Sequence, residues 1–130
     1  MTLKEKNTFT ILVADKDSNV GDFLRRELSA EGYQVAVAEN GGRIIEEIER
    51  DKRVDLLVFD LEIPGADSSK ILEITQKRNP PLPVVIHTFL TEESYRRHPG
   101  QNGGGIYIER SGNIDHLKAA VADMLLRFCP

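Results

Sequence analysis

The sequence predicts an α/β domain: a five-stranded, all-parallel sheet carrying helices on both faces. Two observations predict it. Short apolar, β-branched runs alternate with helix-period segments from Phe9 to Phe128, the pattern of successive βαβ units. The runs are also apolar throughout rather than at every second residue, as strands covered on both faces are. At 130 residues, 40% hydrophobic and 29% charged, the chain has ordinary globular composition and the size of one domain, residues 1–130.

The elements follow in order. Phe9-Thr10-Ile11-Leu12-Val13-Ala14 is a buried strand ending in acid. Val20, Phe23, Leu24 and Leu28 recur at helical spacing, with Asp17 or Ser18 as N-cap and Gly32 just past the end. Tyr33 to Ala38 reads as a second strand. Ile44, Ile45 and Ile48 give a second helix, and Val54 to Phe59 a third strand. After a Pro64-Gly65 break, Ile71, Leu72 and Ile74 mark a third helix that stops before Asn79-Pro80-Pro81. Pro83 to His87 is a fourth strand and Ile106-Tyr107-Ile108 a fifth. Between them, Thr91 to Gly105 holds Pro99-Gly100 and three consecutive glycines, so the fourth helix is expected to be short or frayed. The C-terminal helix carries Ile114, Leu117, Val121, Met124, Leu125 and Phe128 behind an Asn113 cap. Right-handed crossovers then leave the flavodoxin-like (βα)5 winding, strand order 2-1-3-4-5.

The formal charge of −4 and pI near 5.4 give no nucleic-acid footprint. One cysteine, Cys129, excludes an intramolecular disulfide and fits a reducing compartment. No apolar run is long enough to span a membrane, and Lys4, Glu5 and Lys6 replace a signal-peptide core. The expectation is a soluble cytoplasmic domain that binds neither membrane nor nucleic acid.

In such a sheet, ligands bind beyond the carboxyl ends of the strands. Those ends carry Asp15 and Asp17, then Asp60, Thr88 and Arg110. Two converging acid-bearing strands with a hydroxyl and a cation describe a nucleophilic carboxylate, acids for a divalent cation and donors for a phosphoryl group.

These residues give the chain a resemblance to the receiver domain of two-component response regulators, the CheY-like modules, over nearly its whole length. The run Asp55 to Asp67 looks like the family's segment around the phospho-accepting aspartate. The spacings from Asp15 to Asp60 and from Thr88 to Arg110 agree with it as well. The resemblance implies a signalling module rather than an enzyme, with Asp60 as phosphoryl acceptor. It also implies Asp15, Asp60 and the backbone carbonyl of Glu62 as the Mg2+ ligands, Thr88 as the phosphoryl contact and Tyr107 as the aromatic switch. The implied partners are a sensor histidine kinase or phosphotransfer protein, and an effector domain or downstream protein. No organic cofactor is implied.

Several positions depart from the family pattern. Lys16 stands where the second acid of the metal pair belongs, and an ammonium cannot ligate a cation and repels one. Two readings are open: Lys16 replaces the cation by pairing with Asp15 or Asp60, or it extends into solvent. Asp17 shares a face with Asp15 if the strand stays extended, as a weak substitute ligand, or else it caps the first helix. Arg110 takes the place of a lysine, to bind a phosphorylated Asp60 or to lock the unmodified one. Ser111 follows where proline is expected. Phe89 replaces a small residue, either narrowing the path to Asp60 or packing as core. His87 reads as packing, and His98 and His116 as surface residues. Weak Mg2+ binding is therefore expected. Two alternatives to a phosphorylated switch stay open: a phosphorylation-independent pseudo-receiver that binds other proteins, and a flavodoxin-like cofactor binder. Against the latter, the loop after the first strand offers acids and no Gly-rich phosphate cradle.

Overall fold

The computed structural model describes residues 8–50, 54–63, 68–89, 93, 105–110 and 113–128. Its strands are β1 (Thr10–Ala14), β2 (Gln34–Ala38), β3 (Val54–Phe59), β4 (Val84–Thr88) and β5 (Ile106–Glu109). All pair in parallel, in the order β2-β1-β3-β4-β5. The helices among the described residues are α1 (Ser18–Ala30), α2 (Gly41–Arg50), α3 (Ser68–Lys77) and α4 (Ile114–Phe128). Apart from Glu93 and Gly105, the expected fourth helical stretch lies outside the described residues, as do the Pro64-Gly65 break, Ser111, His98 and Cys129.

Period-2 alternation sends each strand's side chains to two cores. Leu12, Leu57, Phe59, Val84 and Ile86 pack under Ile44 and Ile48 of α2 and Ile71 and Leu72 of α3. Ile11, Val13, Leu56, Val58 and Val85 pack under Leu24 and Leu28 of α1 and Leu117, Val121, Met124 and Leu125 of α4. Burial on both faces explains the unbroken apolar runs. Gly105 opens β5 at φ 98°, where a Cβ would stand 2.9 Å from the Val84 carbonyl oxygen. Only glycine fits that approach.

Capping resolves both helix starts. Asp17, not Ser18, is the N-cap of α1, its Oδ1 accepting from the Asn19 N–H at 2.9 Å. Asn113 Oδ1 accepts from the Asp115 N–H at 2.9 Å at the head of α4. Three expectations are corrected. Tyr33 precedes β2, and its N–H closes the end of α1 on the Leu28 carbonyl instead of joining the ladder. Phe23 and Phe128 sit at helical spacing yet are 41% and 60% exposed, because Leu24 and Leu28, and Leu125 and Val121, already fill the space beneath each helix. No described helix is long and apolar enough to cross a membrane.

Candidate functional site

The sheet order places β1 and β3 side by side at its centre, and the two acids follow directly from their ends. The Asp60 N–H donates to the Ala14 carbonyl at 2.9 Å and the Asp15 N–H to that of Ala38 at 3.1 Å, so the ladder runs on into both acids. Asp15 and Asp60 are 1% and 3% exposed. Thr88 ends β4 fully buried, and its carbonyl accepts from the Arg110 N–H at 2.7 Å. The structure thus gathers Asp15, Asp60, Thr88 and Arg110 at one end of the sheet.

The cations are distributed differently from either reading of the sequence. Lys16 pairs with the Glu62 carboxylate at 2.9 Å, neither with Asp15 or Asp60 nor with solvent alone. The Glu62 contact raises the Lys16 ammonium above its ordinary pKa, with smaller contributions from Asp60 and Asp15. Arg110 forms a buried ion pair with Asp15 Oδ2 rather than with Asp60, and its Nη2 also donates to the His87 carbonyl at 3.3 Å. One guanidinium nitrogen, Nη2, serves both acceptors through its two hydrogens. The second oxygen of Asp15 accepts from the Asp17 N–H at 2.9 Å. Asp17 itself serves the α1 cap.

Asp60 is held by one oxygen. Its Oδ1 accepts from the Glu62 N–H at 3.0 Å, while Oδ2 is buried and without a partner. Burial pushes the Asp60 carboxyl above its ordinary range. The Glu62 N–H opposes that, Asp15 adds to it, and Arg110 pulls it down.

Two contacts at the site, of Phe89 and of His87, escape the sequence reading. Phe89 does not pack as core: it is 66% exposed, with the Arg110 Cζ 4.7 Å from its ring centroid. His87 is buried with Nδ1 unpartnered, and burial followed by the Arg110 charge lowers its pKa to about 4. Carrying the Phe59↔Ile86 pairing one residue onward sets His87 beside Asp60. Strand parity was the available signal for His87, since it shares Val85's side of β4. No sequence signal marked Phe89 as a partner of Arg110. Tyr107 is half-buried on the face of Ile86 and bonds Glu109 through its hydroxyl at 3.5 Å. His116 is exposed.

The side chains present fit a resident Mg2+ poorly, since the Arg110 guanidinium already neutralises Asp15 and Lys16 adds a second positive charge nearby. Such an ion takes near-octahedral oxygen ligands, and three of the four oxygens on Asp15 and Asp60 are already engaged by Asp17, Arg110 and Glu62. Among the described residues, no group of three or more His, Cys, Asp or Glu side chains is arranged to hold a metal.

Comparison with known proteins agrees with this architecture. NtrC of Escherichia coli K12 is 31% identical over 111 residues, which are 85% of this chain and 24% of NtrC. MprA of Mycobacterium leprae is 31% identical over 120 residues, 92% of this chain and 52% of MprA. The chain therefore spans between about a quarter and about half the length of these curated relatives. The response regulator TrrA of Thermotoga maritima, solved in complex with Mg2+–BeF, superimposes with a TM-score of 0.81 at 28% identity, covering 90% of this chain and 99% of TrrA. TrrA in complex with the histidine kinase ThkA gives 0.78 at 30% identity, covering 90% and 98%. Residues 11–122 match the family described as "Response regulator receiver domain". With the 2-1-3-4-5 sheet and its acids in register, that match settles the lineage: the chain belongs to the response regulator receiver domain family.

Proposed function

We propose that the chain is the receiver module of a two-component pathway in which Asp60 accepts a phosphoryl group slowly, because Arg110 holds the place of a divalent cation. One observation carries the choice of Asp60: it is the buried acid, among the described residues, that keeps a carboxylate oxygen without a partner. Asp15 has both oxygens engaged, and the third buried acid, Glu47, is neutralised by Arg43 and Arg50, both on its Oε1. A free oxygen on an otherwise fixed carboxylate is what a nucleophile needs. The donor is a phosphohistidine on a kinase or phosphotransfer protein, as the ThkA complex of the similar TrrA suggests. Its P–N bond breaks as the P–O bond to the Asp60 carboxylate forms, and the imidazole leaves neutral, keeping the proton carried by its other ring nitrogen. The output passes to an effector domain or a separate downstream protein.

The Arg110–Asp15 pair favours a second reading, a phosphorylation-independent module that binds partners through its surface. Intact-protein mass spectrometry after incubation with a phosphorylated histidine kinase separates the two. The expected result is a single phosphoryl adduct, accumulating over minutes to hours and absent in Asp60→Asn. No adduct from any kinase tested would favour the second reading.

The same site predicts weak Mg2+ binding. Titration followed by NMR shifts of the Asp60 and Glu62 amides is expected to stay unsaturated at low millimolar Mg2+, and Lys16→Asp to bind more tightly. Saturation of the unaltered chain at or below that concentration would remove the electrostatic argument.

A further inference from the structure

An aromatic ring left two-thirds exposed at a strand end calls for a reason, and Phe89 has one on its inner face. Phe89 follows β4 and Arg110 follows β5, and the Thr88↔Glu109 pairing brings the next residues together. Arg110's side chain is 8% exposed and that of its partner Asp15 1%, so the Phe89 ring is a cover between a buried cation and water. The guanidinium has an Nε that is buried without an acceptor, which makes this arrangement costly unless something else stabilises it. The negative face of an aromatic ring does so, and more strongly where water is excluded.

We infer that Phe89 is the positioning residue that holds Arg110 on Asp15 and thereby keeps divalent cations out of the pocket beside Asp60. The inference rests on the reading that the Arg110–Asp15 pair stands in the cation's place. The Arg110 Cζ lies over the Phe89 ring, and its Nη2 is held by the His87 carbonyl and Asp15. Without the ring, Arg110 is free to turn toward solvent and leave Asp15's oxygen for a metal.

Two measurements on the 15N-labelled chain test it. In metal-free protein, solvent exchange of the Arg110 Nε–H is expected to quicken in Phe89→Leu, which keeps apolar bulk and loses the ring, and to return to the original rate in Phe89→Trp. In Mg2+ titrations, Phe89→Leu is expected to bind about two- to five-fold more tightly, the effect of one partly exposed cation–π contact. In an Arg110→Ala background, the Phe89→Leu change should leave affinity unaltered. Unchanged exchange in Phe89→Leu overturns the positioning role, and so does an affinity gain that persists without Arg110, since the ring would then act by bulk alone. If Arg110→Ala binds Mg2+ no more tightly than the original, the metal-exclusion reading of the pocket fails, while the exchange rates still decide what Phe89 does.

Discussion

Combining Lys16→Asp with Arg110→Lys is expected to raise the rate at which acetyl phosphate modifies Asp60 on the order of a hundred-fold, and by more than either change alone. Attack of a carboxylate on a phosphoryl group brings negative charges together, and removing one such electrostatic stabiliser commonly costs a factor of about 10²–10³ in rate. In the unaltered pocket the available cations are committed elsewhere. Arg110 is on Asp15 and Lys16 is on Glu62. Lys16→Asp reverses a charge next to Asp15 and supplies a new oxygen ligand for Mg2+. Arg110→Lys replaces a guanidinium whose Nη2 is held by both Asp15 and the His87 carbonyl by a point charge with rotating donors, which can move from Asp15 to the incoming phosphoryl oxygens. Because both positions act on Asp15 and Asp60 through one network, their effects should not add as independent terms. A time course by intact-protein mass spectrometry with millimolar Mg2+ checks this, with Asp60→Asn as control. Rapid, stoichiometric modification of the unaltered chain would reject the account. An unreactive double variant would shift the explanation to Phe89 or to Ser111.

The fold was legible because its information is local and repeated. Strands covered on both faces must be apolar throughout, so the five runs announce themselves, and Asn113 and Asp17 mark helix starts by chemistry that acts within three residues. Tyr33 was misplaced because a buried aromatic before a strand reads the same whether it joins the ladder or closes the preceding helix. Phe23 and Phe128 were misplaced because helical spacing gives a face but not how wide that face is. At the site, the topology dictated which residues meet, since strand ends converge whatever their side chains do. It did not dictate their pairing. Whether Arg110 chooses Asp15 or Asp60, and whether Lys16 reaches Glu62, depends on side-chain reach across a gap set by four separate segments. Strand parity could have drawn His87 into the site; the ring of Phe89 over Arg110 had no counterpart in the sequence.

His87 is expected to make the domain lose stability in mild acid. Its ring is buried and its pKa falls from 6.5 to about 4, first through burial and then through the Arg110 charge. The unfolded chain binds this proton near pH 6.5, whereas the folded chain resists it until about pH 4. Stability from neutral His87 is therefore complete above about pH 6.5 and is lost as pH falls toward 4. The linkage amounts to roughly 3 kcal/mol over the whole window, and roughly 2 kcal/mol of that by about pH 5. Asp60 works in the opposite sense. Its carboxyl is held above the ordinary range, so the folded chain takes that proton first and gains stability as pH falls through the folded value. Urea unfolding at about pH 7.5, 6 and 5 reads the His87 slope. His87→Val should flatten the decline, whatever its effect at neutral pH, and His87→Asn serves if the valine variant folds poorly. Asp60→Asn should raise stability at neutral pH on the order of 1 kcal/mol, by no longer burying an unpaired charge. A decline as steep in both His87 variants as in the original would place the acid sensitivity elsewhere and remove His87 from the account of the pocket. A flattened slope in His87→Val, with higher neutral-pH stability in Asp60→Asn, would mean that both buried groups cost the fold stability when charged, His87 in acid and Asp60 at neutral pH.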